Sequence, residues 1–111
     1  MSGYDLHPEA FTDIDEIAIY IGQDSPEAAH RVINEIYRAV LGLVPFPHQG
    51  HRRTDITSRP LRFIPVRDYL IAYAPDEKPL WVIAVLHGHR SPRVMAAILR
   101  GREREPVFRK S

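Results

Sequence analysis

"YLIAYAPDEKPLWVIAVLHGHRSP", residues 69–92, contains two apolar runs around a polar turn and ends in two histidines and an arginine. Each run is rich in β-branched and aromatic residues, too short for a typical helix and apolar without alternation. Each therefore predicts a strand covered on both faces. Asp76-Glu77-Lys78-Pro79 supplies turn chemistry between them. Just upstream, Leu61–Arg67 pairs with Tyr69–Ala74 across a tight turn near Arg67-Asp68. Pro65 lacks an N–H, which places that strand at an edge or a bulge. Residues 61–90 thus read as an antiparallel three-stranded meander.

Working toward the N-terminus, Pro45–Pro60 is a loop of prolines and basic residues with no sustained period. Before it stand two helices. His7-Pro8-Glu9 opens the first, with proline at a position where its missing N–H costs nothing and glutamate at the positive end of the dipole. Phe11, Ile14, Ile17, Ala18 and Ile21 fall on one face, Asp13, Asp15 and Glu16 face out, and Gly22 ends the helix. Ser25-Pro26-Glu27 caps and starts the second, whose stripe is Ala29, Val32, Ile33, Ile36, Val40 and Leu43. Only Gln23 and Asp24 separate Gly22 from that cap, so the helices fold back as an antiparallel hairpin. Tyr4-Asp5-Leu6 adds a short strand ahead of them.

Toward the C-terminus, Ser91-Pro92 caps a short helix carrying Met95, Ile98 and Leu99, with Gly101 as its stop. The alternating charges of Arg100-Gly101-Arg102-Glu103-Arg104-Glu105 read as a frayed helix end. The expected fold is α+β in the order β-α-α-β-β-β: an N-terminal helix hairpin on a small antiparallel sheet, plus a short C-terminal helix. One domain spans residues 1–111, with the meander at 61–90 and the last helix and tail at 91–111. The hairpin covers one sheet face. The other face needs the C-terminal helix or a partner.

Composition narrows the function classes. The chain has 111 residues, 44% of them hydrophobic, enough for a packed core. With no cysteine, thiolate and disulfide chemistry are excluded. No basic segment followed by an apolar run opens the chain, and no apolar run is long enough to cross a bilayer, so a soluble, cytoplasmic protein is expected. The net charge of +1 conceals a division. Residues 1–45 carry eight acids against Arg31 and Arg38, whereas residues 46–111 carry thirteen Lys/Arg against six acids. Such polarity fits an acidic partner at one end, and equally a set of solvated faces.

The cationic end of the last strand admits several readings. His87 and His89 project the same way if the strand continues, but zinc needs three or four ligands and neither HExxH nor a cysteine pair is present. No metal and no cofactor are expected. In an acid–base reading, His87 or His89 shuttles protons while Arg62 and Arg90 hold a phosphate, as in a ribonuclease. Residue types alone favour a solvated strand end instead. Arg52, Arg53, Arg59, Arg62 and Arg67 lack the interleaved aromatics of a single-strand binder and read as a solvated loop. Partner binding has the best physical case. Met95, Ile98 and Leu99 stripe a helix too short to stand alone, and the edge strand beside them invites an added strand or amphipathic helix. Packing of that stripe into the chain's own core is the competing reading.

"LRFIPVRDYLIAYAPDEKPLWVIAVLHGHR" (61–90) and "DIDEIAIYIGQDSPEAAHRVINEIYRAV" (13–40) together resemble the RelE/ParE superfamily of type II toxin–antitoxin toxins, its ParE branch most closely. An arginine enters a strand, YLIAY follows, and the last strand ends in VLHGHR. The resemblance spans residues 4–91. It implies a toxin neutralised by a ParD-like cognate antitoxin whose C-terminal segment wraps the hydrophobic surface. ParE-like members are thought to poison DNA gyrase by contact alone. RelE-like members cut mRNA on the ribosome. Residue by residue the nuclease set is incomplete: Arg62, His87 and Arg90 match, but no lysine lies between Ala10 and Arg67 and no tyrosine follows Tyr73. The resemblance therefore implies a non-enzymatic gyrase inhibitor, though its gyrase-contacting residues do not transfer one by one; the partner-binding candidates read from the residues are Arg62, His87, His89, Arg90, Met95, Ile98 and Leu99. A ribosome-dependent mRNA endonuclease using Arg62, His87 and Arg90 is the alternative, and an inactive homologue that only binds an antitoxin is a third.

Overall fold

A computed structural model of the chain describes residues 3–102. Its elements run β1 (Tyr4–Leu6), α1 (Pro8–Gly22), α2 (Pro26–Leu43), β2 (Arg62–Val66), β3 (Tyr69–Ala74), β4 (Leu80–His87) and α3 (Pro92–Arg100), with one 3₁₀ turn at Pro47–Gln49. The class is the expected α+β. The sheet order is β1-β4-β3-β2, so β4 and β3 are central and proline-bearing β2 lies at an edge. The meander is antiparallel, but β1 joins β4 in parallel and makes the sheet mixed.

Local chemistry sets the helix starts. His7 accepts the Glu9 N–H through Nδ1 at 3.0 Å, Ser25 Oγ accepts the Ala28 N–H at 3.1 Å, and Ser91 Oγ accepts the Val94 N–H at 3.3 Å. In each case proline follows the cap. These bonds satisfy backbone donors that no helical carbonyl reaches.

Two apolar clusters flank the sheet. Ile14 and Ile17 of α1 and Val32, Ile36, Val40 and Leu43 of α2 pack over Ile71, Tyr73, Val82 and Val85. On the opposite face Ile56, Leu61, Met95 and Leu99 pack over Phe63, Ala72, Trp81, Ile83 and Leu86. The second face is thus covered from within the chain, by α3 together with Ile56 and Leu61 from the preceding segment. Ile56 sits in the loop that shows no period.

The α1 stripe is rotated from its expected setting. Ala10 is fully buried while Phe11 is 58% exposed. Asp13, expected to face out, turns inward instead. The strand that α1 faces, β4, carries a bulge. Tyr73 pairs with Val82 and Ala72 with Ala84, leaving Ile83 as an extra residue. Ile83 and Ala84 therefore pack in the same cluster, and the strand's amides change sides beyond this point. β1 has already ended opposite Val82, so the later amides of β4 face an open edge.

Candidate functional site

That open edge is plugged by side chains. The Asp13 carboxylate accepts the Val85 N–H at 2.9 Å. The Arg102 guanidinium donates to the Ile83 carbonyl at 3.2 Å and grips Asp13 through two nitrogens at 2.6 and 3.0 Å. Glu9 lies 3.6 Å away on the exposed side. Burial pulls the Arg102 pKa down, but the bonds and charge of Asp13, with Glu9 and Glu16 behind it, together raise it above the ordinary guanidinium value. Arg102 is accordingly a buried anchor and not part of a frayed, solvated end. The rest of that charged tail, from Glu103 on, lies outside the described residues.

Beside the plug, a cavity of about 670 Å³ opens between α1, the end of β4 and α3. Glu16, Ile17 and Tyr20 form one wall, Ile98 and Arg102 the other, and Tyr69, Val85 and His87 the floor. His89 and Arg90 stand at the mouth. The His87 ring leans on Tyr69, centroids 5.2 Å apart at 54°. Burial first, then Asp68, pushes the Tyr69 phenol above its ordinary range, away from proton transfer near neutrality. Gly88 donates its N–H to the Asp68 carbonyl at 2.7 Å, tying the HGHR turn to the β2–β3 hairpin. A Cβ at position 88 would stand 3.1 Å from that carbonyl.

Of the residues singled out from sequence, His87, His89, Arg90 and Ile98 converge on this cavity. Arg62 does not. It pairs with Tyr73, whereas His87 pairs with Tyr69, so four residues of β3, about 13 Å, separate them along the strand. There Arg62 donates to the Gly50 carbonyl at 2.7 Å. Met95 and Leu99 are 2% and 1% exposed beneath their own sheet, leaving Ile98 as the member of that stripe at a surface. Among the described residues no group of three His, Cys, Asp or Glu side chains is arranged to hold a metal ion. Asp13, Tyr20 and Arg102 carried no signal in sequence. Asp13 looks like any acid on a helix flank, and its partner lies 89 positions away.

The fold and this cationic strand end coincide with a family match. Residues 4–92 match the family model described as "ParE toxin of type II toxin-antitoxin system, parDE". The chain therefore belongs to the ParE toxin family, and membership implies a cognate antitoxin as partner. It is also 32% identical over 87 residues to "Putative toxin Y4kP" of Sinorhizobium fredii (strain NBRC 101917 / NGR234), covering 78% of this chain and 88% of that protein. Among the described residues no helix is long and apolar enough to cross a membrane.

Proposed function

We propose that this toxin acts in the cytoplasm by docking on DNA gyrase through the HGHR edge, without chemistry of its own, and that a ParD-like antitoxin neutralises it. The observation that carries this reading is the division of the nuclease set. Arg62 is bonded to the chain's own backbone at one end of the sheet, while His87 and Arg90 stand at the other. A scissile phosphate must touch its acid, base and charge-stabilising groups at once, and three side chains this far apart do not converge on one phosphorus. A docking surface has no such requirement, and exposed histidine and arginine on a cavity rim suit protein contact.

Pulse-labelling of DNA and protein synthesis within minutes of inducing the chain alone tests this reading. DNA synthesis falling first, with supercoiling by purified gyrase inhibited by the purified toxin, is the expected outcome. Translation collapsing first would transfer the lead to ribosome-dependent mRNA cleavage around His87 and Arg90.

A further inference from the structure

We propose that the outer side of α3, together with the segment before β2, binds the phosphate backbone of duplex DNA without reading its sequence. The inference goes beyond the docking reading and needs no gyrase. Charge in this molecule is sorted by sheet face. The α1–α2 hairpin, residues 8–43, carries seven acids against Arg31 and Arg38. Segments 51–61 and 88–100, which supply the cover on the opposite face, carry Arg52, Arg53, Arg59, Arg90, Arg93 and Arg100 against Asp55 alone. The net charge of +1 hides this division.

The packing of α3 sets the direction of its charges. Met95 and Leu99 are buried in the second cluster, which turns Arg93 and Arg100 to the opposite side of the helix, where both are exposed. Two turns separate them, about 10.5 Å along the axis. Arg59 donates to the Leu99 carbonyl at 3.0 Å and so lays the preceding segment alongside the end of α3. Arg53 holds Asp55 through two bonds of 2.8 Å, which cancels the one acid of the cover. The side chains of Arg52, Arg93 and Arg100 form no ion pair or hydrogen bond with any described residue.

Chemistry identifies the occupant. An exposed arginine fork grips a phosphate through two oxygens. Neither segment contains Phe, Tyr or Trp, so unpaired bases would find no stacking platform, whereas contacts to a duplex backbone need none. A spacing of about 10.5 Å lets Arg93 and Arg100 reach phosphates on both sides of a B-form major groove about 12 Å wide. The acidic hairpin lies across the sheet, so the field of the whole molecule turns the arginine face toward a polyanion and the hairpin away from it.

The test is fluorescence anisotropy of a labelled DNA duplex of about 20 base pairs, titrated with the full chain between about 50 and about 200 mM KCl. Log affinity should fall against log salt with a slope of about −3, and a duplex of unrelated sequence should bind equally. Arg52→Gln, Arg93→Gln and Arg100→Gln combined should weaken binding at least about tenfold at the lowest salt and flatten that slope. Arg31→Gln with Arg38→Gln, on the hairpin, should change neither. The tail beyond Arg102 is present in every variant, so the difference belongs to the cover. Circular dichroism checks that the variants fold, and the parent's salt slope reads the proposal without any variant. Equal binding by the triple variant would overturn the proposal, as would a flat salt dependence or tighter binding of single-stranded DNA or duplex RNA. Salt-sensitive self-association without DNA binding would overturn it too, by assigning this face to the hairpin of a second copy. Gyrase is absent from the assay, so inhibited supercoiling without DNA binding sinks this inference alone. DNA binding by a toxin that leaves gyrase untouched sinks the docking reading alone.

Discussion

Asp13 and Arg102 are the side chains on which the site's shape depends. Their side chains are 15% and 10% exposed, so removing one partner leaves the other charge in a place water barely reaches. Arg102→Met alone should cost about 3 kcal/mol in urea unfolding, and Asp13→Leu with Arg102→Met clearly less than the two single changes added. Tyr73 shows the same logic with neutral groups. Its hydroxyl donates to the Pro47 carbonyl at 2.7 Å and accepts the Gly50 N–H at 2.9 Å, so Tyr73→Phe should cost about 1–3 kcal/mol. Arg67 sits at φ 54°, in the left-handed region, and holds Glu35 through two bonds of 2.6 and 2.8 Å. The hydrogen bond from Arg67 is the main reason the Glu35 carboxyl lies below its ordinary 4.5. A lowered folded value means this contribution to stability is present above 4.5 and is lost as pH falls through the folded value. In Arg67→Gln the Glu35 titration, followed by carboxyl NMR, should move up toward 4.5 and that loss should disappear.

Helix α3 and the segment before β2 behave as one lid on the second sheet face. Nine residues are too few for a stable isolated helix, so α3 depends on Met95 and Leu99 reaching the cluster under Trp81 and Leu86. Leu99→Ala should cost about 3 kcal/mol, whereas Ile98→Ala, at the groove wall, should cost about 1 kcal/mol or less and weaken partner binding instead. Gly50, in the same segment, stands instead against Tyr73 of the first cluster. A Cβ there would stand 2.6 Å from the Tyr73 hydroxyl and 2.8 Å from the Phe63 carbonyl. Gly50→Ala should therefore lose about 2–3 kcal/mol. Gly88→Ala meets only a carbonyl at 3.1 Å and should lose less. Thermal unfolding of the two variants side by side tests that ranking.

Across the molecule, structural support and candidate contact surface are separated. Both sheet faces are closed by the chain's own residues, while the cationic turn lies at one end of the sheet, above a groove whose lining takes Ile17, Tyr69 and Val85 from one cluster and Leu86 from the other. Replacing His87, His89 and Arg90 together by alanine should therefore leave stability within about 1 kcal/mol of the parent and abolish growth arrest. Growth arrest persisting in a folded triple variant would remove this edge from the toxin's mechanism. An Arg62 substitution should act through folding, by freeing the Gly50 carbonyl, and not through the same contact.

Elements whose cause is local were legible in the amino-acid order: three proline-led caps, two amphipathic helices, the hairpin turn at Arg67-Asp68, and the restriction of β2 by Pro65 to an edge or a bulge, of which the sheet order selects the edge. Each follows from periodicity or from a backbone group that a neighbouring residue must satisfy. The HGHR end and Ile98 were visible too, because charge after an apolar strand and a stripe on a short helix are one-dimensional patterns. The bulge at Ile83 had no such signature, since Ile83 and Ala84 suit a strand buried on either face. Asp13, Tyr20, Arg102 and the separation of Arg62 from His87 were equally silent. They arise from strand register and from contacts between α1, β4 and the end of α3. An open strand edge needs an acceptor for its N–H, and only the three-dimensional arrangement reveals that a distant carboxylate fills that position.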